Sequence, residues 1–354
     1  MKIHFVILFC LLSFTPFLWG QNFDANWIGH FSYLNIKKVV HAETKFYAAS
    51  ENALFSYDPL TNQLSTITTI NGLSGELIST LHYSNEYQLL LIGYENGLIE
   101  VYTESDQEIL KVVDIINKVT IPPSQKKINH FNELNSLVYI ATDYGISVYN
   151  LEGLEFGDSY YIGANGSQIQ VNQTAIFNNE IYAACGSNSG IKKASLSNSN
   201  LTDFQLWSSL SSGDFKAVTV FDSSLYAVNS INILFEINGI TLTPLFNYPQ
   251  PVAELNASDN ALLVTTNSKV YQYEAGFNLT NAYSPTPEFD TPFTAALKID
   301  AALYIGTMDY GVLKLNPSDP AVYQEIHPKG PLKNTAFSLS HGYGNLWVSY
   351  GDYS

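Results

Sequence analysis

The sequence predicts an all-β chain, a β-propeller of four-stranded blades. Three observations carry this: a repeat of about forty residues along the whole chain, a composition rich in strand formers, and tight-turn residues between paired apolar runs. The repeat unit is an apolar pair followed by small residues, a polar turn often ending in Gly, and a second apolar run. It is seen at Phe46-Tyr47-Ala48-Ala49 with Leu54-Phe55-Ser56-Tyr57, and at Val138-Tyr139-Ile140-Ala141 with Gly145-Ile146-Ser147-Val148-Tyr149. Tyr47, Leu90, Tyr139, Tyr182, Tyr226, Leu263, Tyr304 and Trp347 anchor the copies, at spacings of about 37 to 49 residues. The 24 Tyr and 20 Phe favour strands, because flat rings pack well on a pleated surface.

The first twenty residues stand apart. Lys2 gives a positive start, Ile3 to Trp19 is mostly apolar around Phe5 to Leu12, and Gly20 is a small residue at a cleavage point. This reads as a signal peptide (1–20) and implies export. Cys10 lies inside the apolar stretch, with no polar tether after it. Cys185 is then the single mature thiol, expected as a small buried hydrophobe in the strand Tyr182-Ala183-Ala184-Cys185.

The hairpins follow in order. Turns are expected at Ser50-Glu51-Asn52, Glu95-Asn96-Gly97, Asp143-Tyr144-Gly145, Asn188-Ser189-Gly190 and Asp309-Tyr310-Gly311, since Asn, Asp and Gly tolerate positive φ. Runs such as Leu89-Leu90-Leu91-Ile92 suit strands buried on both faces. Between Glu104 and Pro123, Ile109, Val112, Val113 and Ile116 have helical spacing, yet the propeller context favours an outer strand plus loop. Pro285 to Pro292 reads as an inter-blade loop.

Eight anchors leave two counts open: eight blades, or seven blades and the opening of something else. The last copy holds only two strands, Thr335 to Ser340 and Asn345 to Tyr350, and Asn26 to Tyr33 can supply one more at most. The expected division is therefore a propeller over 21–330, of seven blades, and over 331–354 the start of a further blade or second domain, cut short at Ser354.

Composition narrows the function. The 16 basic residues are all Lys against 32 acidic residues, a net charge of −16, so the chain repels nucleic acid and lacks the forked donor that reads phosphate or guanine. No Gly-x-Ser-x-Gly elbow, Cys pair, His-x-x-x-His spacing or Asp-x-Asp-x-Asp-Gly loop occurs. His30, His41, His82, His130, His327 and His341 are scattered singly and are expected in surface or turn positions. No catalytic, cofactor or metal residue is assigned, although paired carboxylates converging across a central channel stay possible. Trp27 and Trp207 are the aromatics to check for an exposed binding face; the alternative is packing between blades.

Several stretches resemble the PorZ family of the Bacteroidetes type IX secretion system. They are Trp27-Ile28-Gly29-His30-Phe31-Ser32-Tyr33, Asn71-Gly72-Leu73-Ser74, Leu91-Ile92-Gly93-Tyr94-Glu95-Asn96-Gly97, Lys126-Lys127-Ile128-Asn129, Tyr139 to Ile146, Ser159-Tyr160-Tyr161-Ile162-Gly163, Gly330-Pro331-Leu332-Lys333-Asn334 and Leu346-Trp347-Val348. The resemblance implies a non-catalytic binding subunit at the cell surface, beside PorU-, PorV- and PorQ-like partners, in an assembly that attaches cargo to anionic lipopolysaccharide. It also implies two propellers and a C-terminal sandwich, of which this chain spans one propeller. It transfers no functional residue. The Asn-Gly-Leu-Ser and Leu-Trp-Val elements also resemble periplasmic sensor propellers of hybrid two-component regulators, which is the alternative reading. A propeller hydrolase or lyase is a third.

Overall fold

The computed structural model describes residues 29–315, 319 and 322–351. The signal-peptide reading and Trp27 lie outside them. Seven four-stranded antiparallel sheets follow one another along 38–326, each in simple sequence order, and a two-stranded hairpin covers 336–350. The blades span 38–67, 78–112, 128–160, 171–209, 215–247, 252–283 and 293–326. The fold is a seven-bladed β-propeller, and the eighth anchor, Trp347, opens the extra hairpin Ala336–Gly342 with Asn345–Tyr350.

The seven blade anchors each sit on the second strand of their blade, which explains the repeat. Leu89–Tyr94 and Ala261–Thr266 are buried throughout, whereas outer strands such as Leu64–Ile67 and Thr241–Asn247 are mostly exposed. The apolar runs are thus the strands that neighbouring blades cover on both faces. The seven hydrophobic clusters confirm it, because each one joins two consecutive blades. The cluster between the last and first blades contains Phe46 against Tyr304, ring centroids 4.9 Å apart. Each such fully buried side chain contributes roughly 1.5–3 kcal/mol.

The contested segment after Glu104 is an outer strand, Glu108–Val112, followed by turns. Val113 is exposed and Ile115 fully buried, so the helical spacing reflects a strand end and a turn. Pro285 to Pro292 connects blades 6 and 7. Many hairpins between the first and second strands turn on two residues with positive φ: Asn178-Asn179, Asp222-Ser223 and Asp259-Asn260. That geometry matches the twist of the flanking strands.

The family-like stretches have local physical reasons. In Asn71-Gly72-Leu73-Ser74, Asn71 and Thr68 cap a short turn reciprocally, and Gly72 takes φ +106°. Leu73 then inserts between blades 1 and 2, and the Ser74 N–H donates to buried Glu100 at 2.9 Å. In Asp143-Tyr144-Gly145, the Thr142 hydroxyl donates to the Gly145 carbonyl at 2.9 Å, and blade 7 repeats the device with Thr307 and Gly311 at 2.9 Å. Asn334 belongs to a latch: it accepts from the Ser32 N–H at 2.7 Å and donates to Glu51 at 3.2 Å, while Asn35 donates to the other Glu51 oxygen at 3.2 Å.

The ring closes without borrowing a strand. The innermost strands of blades 1 and 7 lie side by side, the Ile36 N–H donates to the Thr307 carbonyl at 2.8 Å, and the Gly311 N–H to the Leu34 carbonyl at 2.9 Å.

Candidate functional site: the central channel

The innermost strands line a central channel, and their side chains alternate between channel and blade interface. At equivalent positions near the start of these strands, blades 2 to 5 each send one polar side chain to a carbonyl of the next blade. Ser79 donates to Ile128 at 2.6 Å, Asn129 to Val171 at 2.9 Å, Asn172 to Phe215 at 2.7 Å, and Lys216 to Val252 at 3.3 Å. Deeper along the strands the pattern recurs, with Asn132 on Thr174 at 2.8 Å and Asn256 on Ala296 at 3.1 Å. Much of the polar lining therefore stitches blade to blade.

Both channel carboxylates described here are engaged. Glu254 pairs with Lys38 and accepts from the Ala296 N–H at 2.9 Å. Glu133 takes His82 Nε2 at 2.7 Å and the Ser84 hydroxyl at 2.8 Å. His82 and His130 are thus inner-strand residues, not the surface or turn residues expected of single histidines; a period-two strand carries an isolated polar side chain into a polar channel as readily as into solvent. Burial pushes the His130 imidazole well below its ordinary pKa, and the nearby Lys38 charge adds to this, so the ring is neutral. The other single histidines behave as expected: His41 and His341 are exposed, and His327 bonds Glu325 and Pro328 just past a strand end. Among the described residues, no three His, Cys, Asp or Glu side chains form a metal-binding group.

At the end where the innermost strands enter the ring, the channel widens to a cavity of about 320 Å³. Lys37, Lys38, Lys127 and Lys216 line it with Gln173, His130 and Glu254. Nothing in the sequence signals this convergence, because the lysines come from blades 1, 3 and 5 or the loops leading to them.

Trp207 packs between blades 3 and 4, its ring 6.2 Å from that of Tyr160 and its Nε1 donating to the Leu201 carbonyl at 3.0 Å. It is not an exposed anchor. Cys185 is fully buried, and desolvation raises its thiol to about 12 against the small opposing effect of Lys192.

The family model of the PorZ N-terminal β-propeller domain of the type IX secretion system matches residues 46–208, from the second strand of blade 1 to the end of blade 4. Among curated proteins, none matches the sequence. Among solved structures, PorZ of Porphyromonas gingivalis, described as an essential bacterial surface component of that secretion system, matches with TM-score 0.76 and 16% identity. That match covers 93% of this chain and 43% of the PorZ chain, so the chain spans less than half of its solved counterpart. Raptor of Chaetomium thermophilum matches with TM-score 0.61 and 15% identity over 85% of this chain and 28% of its own. The computationally designed Ika8 protein matches with TM-score 0.53 and 14% identity over 80% and 96%. The last two share the ring alone. The chain is thus similar to the PorZ N-terminal β-propeller in sequence over residues 46–208, and to the solved PorZ ring in shape over almost its whole length.

Proposed function

We propose that this propeller is a non-catalytic binding subunit of the type IX secretion system's attachment complex at the cell surface. It works beside PorU-, PorV- and PorQ-like proteins, and it supports sortase-mediated anchoring of cargo to anionic lipopolysaccharide. The observation that carries this reading is the family-model match across four blades, joined to the solved PorZ ring, whose protein is a surface component of that system. The stitched channel suits a rigid scaffold: its carboxylates are paired and many of its amides hold neighbouring blades, while the loops at the two ends of the ring face partners. Export follows from residues 1–20 read as a signal peptide, and the hairpin at 336–350 is proposed as the opening of a further domain.

The test is a pull-down from outer-membrane extract, with the full-length gene product tagged in its native host. Recovery of PorU-, PorV- and PorQ-like proteins supports the assignment. Their absence, with the protein found in the inner membrane, overturns it and favours a sensor propeller of a two-component regulator.

A further inference from the structure

The chain carries a net charge of −16, yet four of its sixteen lysines line one cavity at the channel mouth, against the single carboxylate of Glu254. Lys38 is paired with that carboxylate. Lys216 is held by the Asn232 side chain at 3.0 Å and the Val252 carbonyl at 3.3 Å, neither of which neutralises it. Lys127 has only Glu95 nearby, 3.7 Å away with both groups half-exposed, which screens little of its charge. Among the described residues, Lys37 makes no side-chain hydrogen bond or ion pair, and the Gln173 amide has no partner either. Two polar atoms of lining residues, His130 Nδ1 and Thr294 Oγ1, are buried without a partner among the described residues. A concave, positively charged, incompletely satisfied site on a strongly acidic protein is complementary to an anion.

We propose that this cavity binds a compact dianionic phosphate group, with Lys37, Lys127 and Lys216 supplying charge and Gln173 a neutral donor. Three ammonium groups, of which only Lys127 has a carboxylate near it, match a dianion better than a single carboxylate. Lysine acts as a point charge on phosphate and does not require the forked geometry that carboxylate recognition by Arg uses. Burial lowers the Lys216 pKa, and a bound anion offsets that cost. The phosphate is carried either on a free ester or on a larger glycan, both of which present the same group to the channel mouth. The secretion assignment does not depend on this site, and the site does not depend on it.

Calorimetry with inorganic phosphate, glucose 6-phosphate and glucuronate tests it on the purified chain. Phosphate is expected to bind saturably, more weakly as NaCl rises, and glucuronate at least tenfold more weakly. Glucose 6-phosphate binding better than inorganic phosphate points to an ester or glycan source; equal or weaker binding points to the free anion, and the site stands in either case. Lys37→Gln with Lys127→Gln is expected to lose at least tenfold in phosphate affinity with an unchanged melting temperature, since neither side chain anchors the fold. Gln173→Leu is the independent second variant, with a loss of about threefold to tenfold. Undetectable phosphate binding at millimolar concentration, unchanged affinity in both variants, or glucuronate bound as tightly as phosphate overturns the proposal.

Discussion

Lys38 of blade 1 pairs with Glu254 of blade 6, reaching past the whole of blade 7 to do so. Blade 7 permits this because its inner strand presents Thr294, Ala295 and Ala296 at that level, and the Ala296 N–H completes the set by donating to Glu254 at 2.9 Å. The pair therefore straps three blades across the seam where the ring closes. Lys38→Met leaves a mostly buried carboxylate without its cation. Because both groups keep some solvent access, the expected cost is about 2–3 kcal/mol, below that of a fully buried pair. Urea unfolding measures it; a loss under 0.5 kcal/mol would show that the seam holds by apolar packing alone.

Asn172 carries the clearest of the blade-to-blade stitches. Its amide donates to the Phe215 carbonyl at 2.7 Å. Asn172→Leu and Asn172→Asp both remove the donor, one by polarity and one at constant shape. Each is expected to lower stability by about 1–3 kcal/mol, the cost of an orphaned buried acceptor. The denaturation midpoint should fall with an unchanged slope. A neutral Asn172→Asp variant would mean that water replaces the amide.

The architecture was legible because one physical demand recurs: the second strand of each blade is covered on both faces, so its apolar run repeats with the blade. Tyr47, Leu90 and Tyr304 announce it directly. The stitches were not legible, since Ser79, Asn129, Asn172 and Lys216 are of three residue types and share a place on the inner strand that no motif marks. The channel cavity was hidden for the same reason: Lys37 and Lys216 are about half the chain apart, and only closure of the ring brings them to one cavity. Trp207 left both readings open, because an indole looks the same in sequence whether it faces a partner or the next blade, and it takes the inter-blade place.

Gly145 is fixed by two constraints at once. Its φ is +145°, and a Cβ there would sit 2.3 Å from the Tyr160 carbonyl oxygen. Gly145→Ala is expected to cost about 3 kcal/mol or more, from strain plus displacement of the outer strand. Gly213 offers the control: its φ is +94°, but a Cβ would meet nothing within 4 Å, so Gly213→Ala should cost only about 1 kcal/mol. Thermal unfolding of the two variants separates backbone strain from collision; equal losses would refute the collision.

Cys185 gives a chemical readout of ring integrity. With its thiol fully buried and raised to about 12, it holds almost no thiolate at pH 8. Protein expressed without residues 1–20, which contain Cys10, should leave an aromatic disulfide reagent unreacted for hours, and one thiol should appear on unfolding in urea. If Lys38→Met loosens the seam, its thiol should react faster than that of the wild type. Rapid labelling of the native wild type would contradict the buried placement.

Glu100 is the titration to watch. Its carboxylate is fully buried on blade 2, where it accepts from the Ser74 N–H at 2.9 Å and the Tyr94 hydroxyl, with Lys111 3.6 Å away. Desolvation raises its pKa above the ordinary carboxylate value, and the Tyr94 bond and Lys111 charge offset this only in part. The native state therefore holds the proton more tightly than the unfolded chain does. The stability this contributes is fully present below the ordinary value of 4.5 and is lost as pH rises through the native pKa. Glu100→Gln removes that titration. Unfolding free energies measured between pH 4 and pH 7 should accordingly shift in favour of the variant as pH rises. A shift in favour of the wild type would mean that Ser74, Tyr94 and Lys111 outweigh burial, and that the loop between blades 1 and 2 is held by a carboxylate whose pKa is lowered.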